Sequence, residues 1–230
     1  MTNSVSSVKL IAEMVLAFVG VLARNLMPTS ISTNLRIDKM KNDLLEFQPQ
    51  IVTFSIVIFC YLINGPAYPF IGNLIWLPLG AMSLCFLLFG FRVVFAAILA
   101  SQFSEFWFHS QPFFDQVTLI RTISGAIGPA LAIASMRFFK LSNFFDGEKL
   151  VFHHLIFLAI LTALLNTLIA FFVSSYIVSN VQDLEIINAT DFLRNYLMGD
   201  ILGCLIVLFF AALVVVPLIK YFFPKIAPSE

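Results

Sequence analysis

Charge is scarce in this chain. Lysine plus arginine number 13 and aspartate plus glutamate 13, together 11% of 230 residues, with a formal net charge of zero. A soluble domain carries about 25% charged residues, so a soluble globular fold is excluded. Without a basic excess there is also no electrostatic footprint for nucleic acid. Cysteine is sparse too. Cys60, Cys85 and Cys204 are odd in number and sit inside apolar runs, which argues against a disulfide framework and for small packing residues. Of three histidines, His153 and His154 are adjacent; neighbouring positions do not share a helix face, so no metal site is expected. There is no HExxH, Walker or glycine-rich nucleotide motif, and serine, histidine and aspartate are too dispersed for a triad. The chain is therefore read as a non-enzyme with no cofactor.

What is abundant is hydrocarbon: 60% hydrophobic residues and a mean hydropathy of +0.97. The partner such a composition demands is a lipid bilayer. The expected fold is all-α, a polytopic transmembrane helix bundle of about seven spans forming one domain over residues 1–230. The spans are expected at Val8–Met27, Ile51–Ile63, Ile71–Phe89, Val93–Phe108, Val117–Met136, Val151–Val178 and Asn195–Phe222. Glu13 inside the first apolar run argues against a signal peptide. The one long polar stretch, Pro28–Gln50, repeats Ile37, Met40, Leu44 and Phe47 at helical spacing. It is read as an amphipathic helix lying on the membrane surface, a cytoplasmic interfacial segment over 30–49. Residues 223–230 form a short cytoplasmic tail.

Lysine and arginine set the orientation. Arg24, Arg36, Lys39, Lys41, Arg92, Arg137, Lys140, Lys149, Lys220 and Lys225 all fall on one side of a seven-span chain. Loops 64–70, 109–116 and 178–193 hold no lysine or arginine. The amino terminus is expected outside and the carboxyl terminus in the cytoplasm.

The stretch Phe70–His109 organises the reading. Pro78, between Trp76 and Gly80, removes a backbone donor and is expected to break the third span. A break at membrane depth survives only against protein or a water-filled cavity, which makes it a candidate pocket wall. Glu105, Arg121 and Asp200 lie in the same half of their spans, and ionisable groups there normally face the bundle and find partners. With Trp76 and Gln102 they are candidate ligand-binding residues lining an outward-facing polar pocket, where Arg121 can hold an anion. The plainer alternative is that Glu105 or Asp200 pairs with Arg121 to fix helix register. Pro78, Gly80, Arg92, Gly199 and Gly203 are read as structural, the last two as a small-xxx-small pair for close helix approach. Asn188-Ala189-Thr190 formally matches a glycosylation acceptor.

Trp76-Leu-Pro78-Leu-Gly80, the Gly90-Phe-Arg92 corner and Gly199-Asp200-x-x-Gly203 followed by Pro217 resemble the pattern of the MASE-type sensors, the first membrane-associated sensor domain family of bacteria. The resemblance covers roughly Ile71–Pro217 and makes Trp76, Pro78, Arg92 and Asp200 signature positions. It implies a bacterial inner-membrane bundle that perceives a stimulus ahead of a cytoplasmic module such as a diguanylate cyclase, a phosphodiesterase or a histidine kinase. After Phe222 only the tail remains, so the expectation is a bundle without an output domain that signals through a cytoplasmic or membrane partner. A small-molecule transporter or its substrate-binding subunit, and a structural subunit of a larger membrane complex, are the alternatives.

Overall fold

The computed structural model describes residues 35–65, 73–139, 141, 152–180, 188–215 and 217, with side chains from residue 47 onward. The described residues are all-helical apart from the connections, without strands. Six helices appear in order: α1 Leu35–Asn64, α2 Leu77–Phe89, α3 Val94–His109, α4 Gln116–Phe138, α5 Phe152–Asn180 and α6 Ala189–Phe210, the last continued by a π-helical turn at Ala211–Val215. Five of the helical stretches are long and apolar enough to cross a membrane; α2 is shorter. The chain is a multi-pass membrane protein.

Three sequence expectations change. The amphipathic segment is not a separate surface helix: from Leu35 it runs into the second expected span as one helix of 30 residues with Pro49 inside it. Its first residues, like the expected first span Val8–Met27, lie outside the described residues. The third span is helical only from Leu77, so Pro78 stands in the first turn and starts the helix rather than breaking it. That position suits proline, whose fixed φ is helical and whose missing N–H is one the first turn does not need. The last helix begins at Ala189 instead of Asn195 because Asn188 caps it, its side chain accepting from the Thr190 and Asp191 backbone N–H groups.

At 13 residues α2 is about 20 Å long, against roughly 30 Å of hydrocarbon, yet it is the central pillar. It packs against α1, α4 and α6, while α3 bridges α1 to α4 and α5 bridges α4 to α6. Leu79, Ala81, Met82, Cys85 and Phe86 on α2 are buried in one core with Val57 on α1, Ala97 and Ala100 on α3, and Ala132 and Ile133 on α4. Lipid tails are as apolar as these side chains, so close packing of small residues holds the contacts. Bulky phenylalanines such as Phe95, Phe138 and Phe172 point outward.

The corner between α2 and α3 follows the expected Gly90-Phe91-Arg92. Gly90 takes φ +72°, its N–H donates to the Phe86 carbonyl, and a 3-10 turn at Phe91–Val93 leads into α3. A Cβ at Gly90 would touch nothing, so the positive φ alone accounts for glycine there. The Arg92 side chain is exposed, and its carbonyl accepts from Gln50 Nε2. Arg137 at the end of α4 lies over the Phe91 ring, 5.9 Å from its centroid.

Candidate functional site

The opposite end of the bundle, where α1, α3 and α5 finish and α2, α4 and α6 begin, holds a cavity of about 110 Å3. Its construction starts from glycines. Gly199 and Gly203 on α6 face the non-helical segment Asn73–Trp76, and a Cβ on either would collide with the carbonyl of Asn73 or Trp76 respectively. Gly80 meets Gly203 across the same contact, its hypothetical Cβ 2.6 Å from the Gly203 carbonyl oxygen. The three glycines bring the start of α2 onto α6 at backbone distance. The freed donors at that start are satisfied there: Trp76 N–H donates to Gly199 O at 2.9 Å, and Leu77 N–H to Asn64 Oδ1 at 2.9 Å. In hydrocarbon an unmet donor costs several kcal/mol, so these two bonds hold the irregular segment at membrane depth.

Four of the sequence-predicted residues line the cavity together: Trp76, Glu105, Arg121 and Asp200. Gln102 does not line it. It is buried behind, donating from Nε2 to Thr122 Oγ1 at 2.7 Å, and Thr122 lines the wall. The Gln102 Oε1 atom is buried without a partner. Gly80, Gly199 and Gly203 seat α2 on α6 as described and Pro78 stands in the first turn of α2, whereas Arg92 lies at the other end of the bundle.

The register alternative is not what the structure shows. Asp200 is buried and its Oδ2 accepts from Asn166 Nδ2 at 2.8 Å and Thr167 Oγ1 at 3.3 Å, both on α5. Gly128 on α4 permits this, because a Cβ there would lie 2.8 Å from the Asn166 Cα. Among the described residues no carboxylate lies within 4.0 Å of the Arg121 guanidinium; the one ion pair of that length joins Glu105 Oε2 to His109 Nε2, a turn apart on α3. The Glu105 side chain is 15% exposed.

Sequence reasoning did not name Tyr61, Asn166 and Tyr196 as site residues. Tyr61 donates to Ser101 Oγ at 3.2 Å and meets Trp76 edge-on, ring centroids 5.4 Å apart. Tyr196 stacks on Phe192 at 4.1 Å. It lies one turn before Asp200, and that spacing was the available signal. Asn166 stood out only as a polar break in an apolar run. At the open end of the wall Gly125 has nothing within 4 Å of where a Cβ would sit.

The result is an aromatic and polar chamber holding one guanidinium and one glutamate not paired with each other. Such a chamber can hold a small polar molecule. A water needs about 10–15 Å3, so about 110 Å3 admits the equivalent of several. Comparison with protein-family models, curated proteins and solved structures finds no match to this chain.

Proposed function

We propose that the protein is a membrane receptor: a helical bundle that binds a small ligand in the cavity and passes a shift in helix packing to a signalling partner. One observation carries the reading. Trp76 just before α2, Glu105 on α3, Arg121 on α4 and Asp200 on α6 converge on one cavity in which, among the described residues, Arg121 has no carboxylate within 4.0 Å. An arginine at the centre of a spanning helix costs roughly 2.5–3.5 kcal/mol to insert, so arginines in spans normally come with a protein partner. A ligand anion supplies the partner that none of the described carboxylates provides within 4.0 Å. Signalling then requires that the ligand favour one helix arrangement over another.

In this reading the bundle has seven spans, counting Val8–Met27, and sits in a bacterial inner membrane with its amino terminus outside. The non-helical Asn73–Trp76 segment is the broken part of the third span. Arg92 and Arg137 lie at the end away from the cavity, which supports a cytoplasmic location for that end and an outward-facing cavity. The resemblance of Trp76-Leu-Pro78-Leu-Gly80 and Gly199-Asp200-x-x-Gly203 to MASE-type sensors supports perception of a stimulus.

A second reading, a small-molecule transporter or its substrate-binding subunit, draws on that same segment, since discontinuous helices line the sites of many carriers. Native purification with mass spectrometry of co-purifying small molecules and proteins tests both. The receptor reading expects a small molecule that is present with the wild type, absent with a monodisperse Arg121→Met variant, and not accumulated by proteoliposomes. Identical small-molecule content in wild type and variant overturns it; accumulation against a gradient selects the transporter.

A further inference from the structure

We infer that the cavity takes a small zwitterion, its acidic group on Arg121 and its ammonium on Glu105. This rests on the receptor reading above and narrows it to a ligand class. The argument is charge matching. Arg121 on α4 and Glu105 on α3 line the same cavity, yet no ion pair joins them among the described residues. Among the described residues the ion-pair partner of Glu105 is His109, 4.0 Å away on its own helix. The other carboxyl in the wall, Asp200, is already engaged by Asn166 and Thr167. The described residues therefore present one cation and one anion to the same small space, neither with an ion-pair partner from another helix within 4.0 Å.

A ligand with a single charge satisfies one of them and leaves the other facing a chamber of low dielectric, the costly half of a broken ion pair. A ligand carrying both charges a few bonds apart satisfies both. The walls suit the cationic end, because Tyr61 and Trp76 both line the cavity and aromatic rings attract an ammonium. Size limits the rest, because about 110 Å3 suits glycine, alanine or serine better than an amino acid with a large side chain. The same charge pair occurs in an ethanolamine phosphate headgroup, and the test separates the two sources.

The test uses the full chain in phosphatidylcholine nanodiscs, titrated with glycine, alanine, propionate, ethylamine and glycerophosphoethanolamine, with thermal protection and direct calorimetry as readouts. The expected result is that glycine or alanine binds at least tenfold more tightly than propionate or ethylamine. Tightest binding by glycerophosphoethanolamine keeps the zwitterion and identifies the headgroup as its source. Glu105→Gln is expected to bring alanine down to the level of propionate while leaving propionate unchanged or improved. The comparison among probes on the wild type stands even if that variant does not fold. Propionate binding as tightly as alanine overturns the zwitterion and leaves the receptor standing. If no probe binds and native mass spectrometry finds no small molecule, the receptor reading falls with it.

Discussion

Asn166 Nδ2 donates to Asp200 Oδ2 at 2.8 Å between the middle of α5 and the middle of α6, and this bond ties the cavity floor to both helices. Removing one partner leaves a buried polar group unmet, whereas replacing both with apolar groups can be nearly neutral. Asn166→Leu alone should destabilise by roughly 1–3 kcal/mol, and the Asn166→Leu, Asp200→Leu pair should recover much of that loss. Thermal unfolding in detergent checks it. A double variant no more stable than the single would show that Thr167 and the cavity, not Asn166, hold the carboxyl.

Glycines of one helix predict opposite outcomes from a glycine of another. Gly203→Ala drives a methyl into the Trp76 carbonyl, a backbone atom that cannot swing away, so a loss of roughly 1–3 kcal/mol or more is expected. Gly125→Ala meets nothing within 4 Å and should fold as the wild type, while narrowing the cavity and weakening ligand binding. Expression yield, melting temperature and ligand titration on both variants separate the two effects.

Asn64 reaches thirteen residues forward to accept the Leu77 N–H at 2.9 Å and acts as a remote cap for α2. Asn64→Leu should cost about 1 kcal/mol, as loss of a helix cap does. Asn64→Asp keeps an acceptor oxygen and should retain most of it. Equal melting temperatures for wild type and Asn64→Leu would mean that the Leu77 donor finds another acceptor.

Among the described residues Gln102 Oε1 is buried with no partner, and the Thr122 hydroxyl that accepts from Gln102 Nε2 keeps its own donor bond to the Leu119 carbonyl without it. Gln102→Met should therefore change stability by less than about 1 kcal/mol. If the same variant alters ligand affinity through Thr122, calorimetry will show Gln102 acting as a positioning residue behind the cavity wall.

How much was legible in the sequence follows from contrast with its surroundings. Glu105, Arg121 and Asp200 stand out because a charge in an apolar run must face the bundle, and Trp76 because it precedes a proline and a glycine. Tyr61 and Tyr196 carry no such contrast, since tyrosine is equally at home at a membrane interface. Hydropathy alone misplaced the start of α6, because the polar residues after Asn188 looked like loop; Asn188 with Asp191 three positions on is a helix-start signature. The boundary expected between the surface segment and the span from Ile51 falls beside Pro49, inside one continuous helix, because in a membrane helix neighbouring helices and side chains can meet the backbone group a proline frees. The pairing of Asp200 with Asn166 depends on the close approach allowed by Gly128, and spacing along one chain cannot reveal which glycine meets which helix.

The bond from Trp76 N–H to the Gly199 carbonyl has a consequence for biogenesis. A nascent chain that has delivered α1 to α5 to the bilayer still lacks the acceptor that seats its shortest helix. Truncation before Ala189 should leave that helix sensitive to membrane proteases even though every residue of it has been made. The chamber is then the last feature to mature, and its completion reports that the whole described bundle has been threaded.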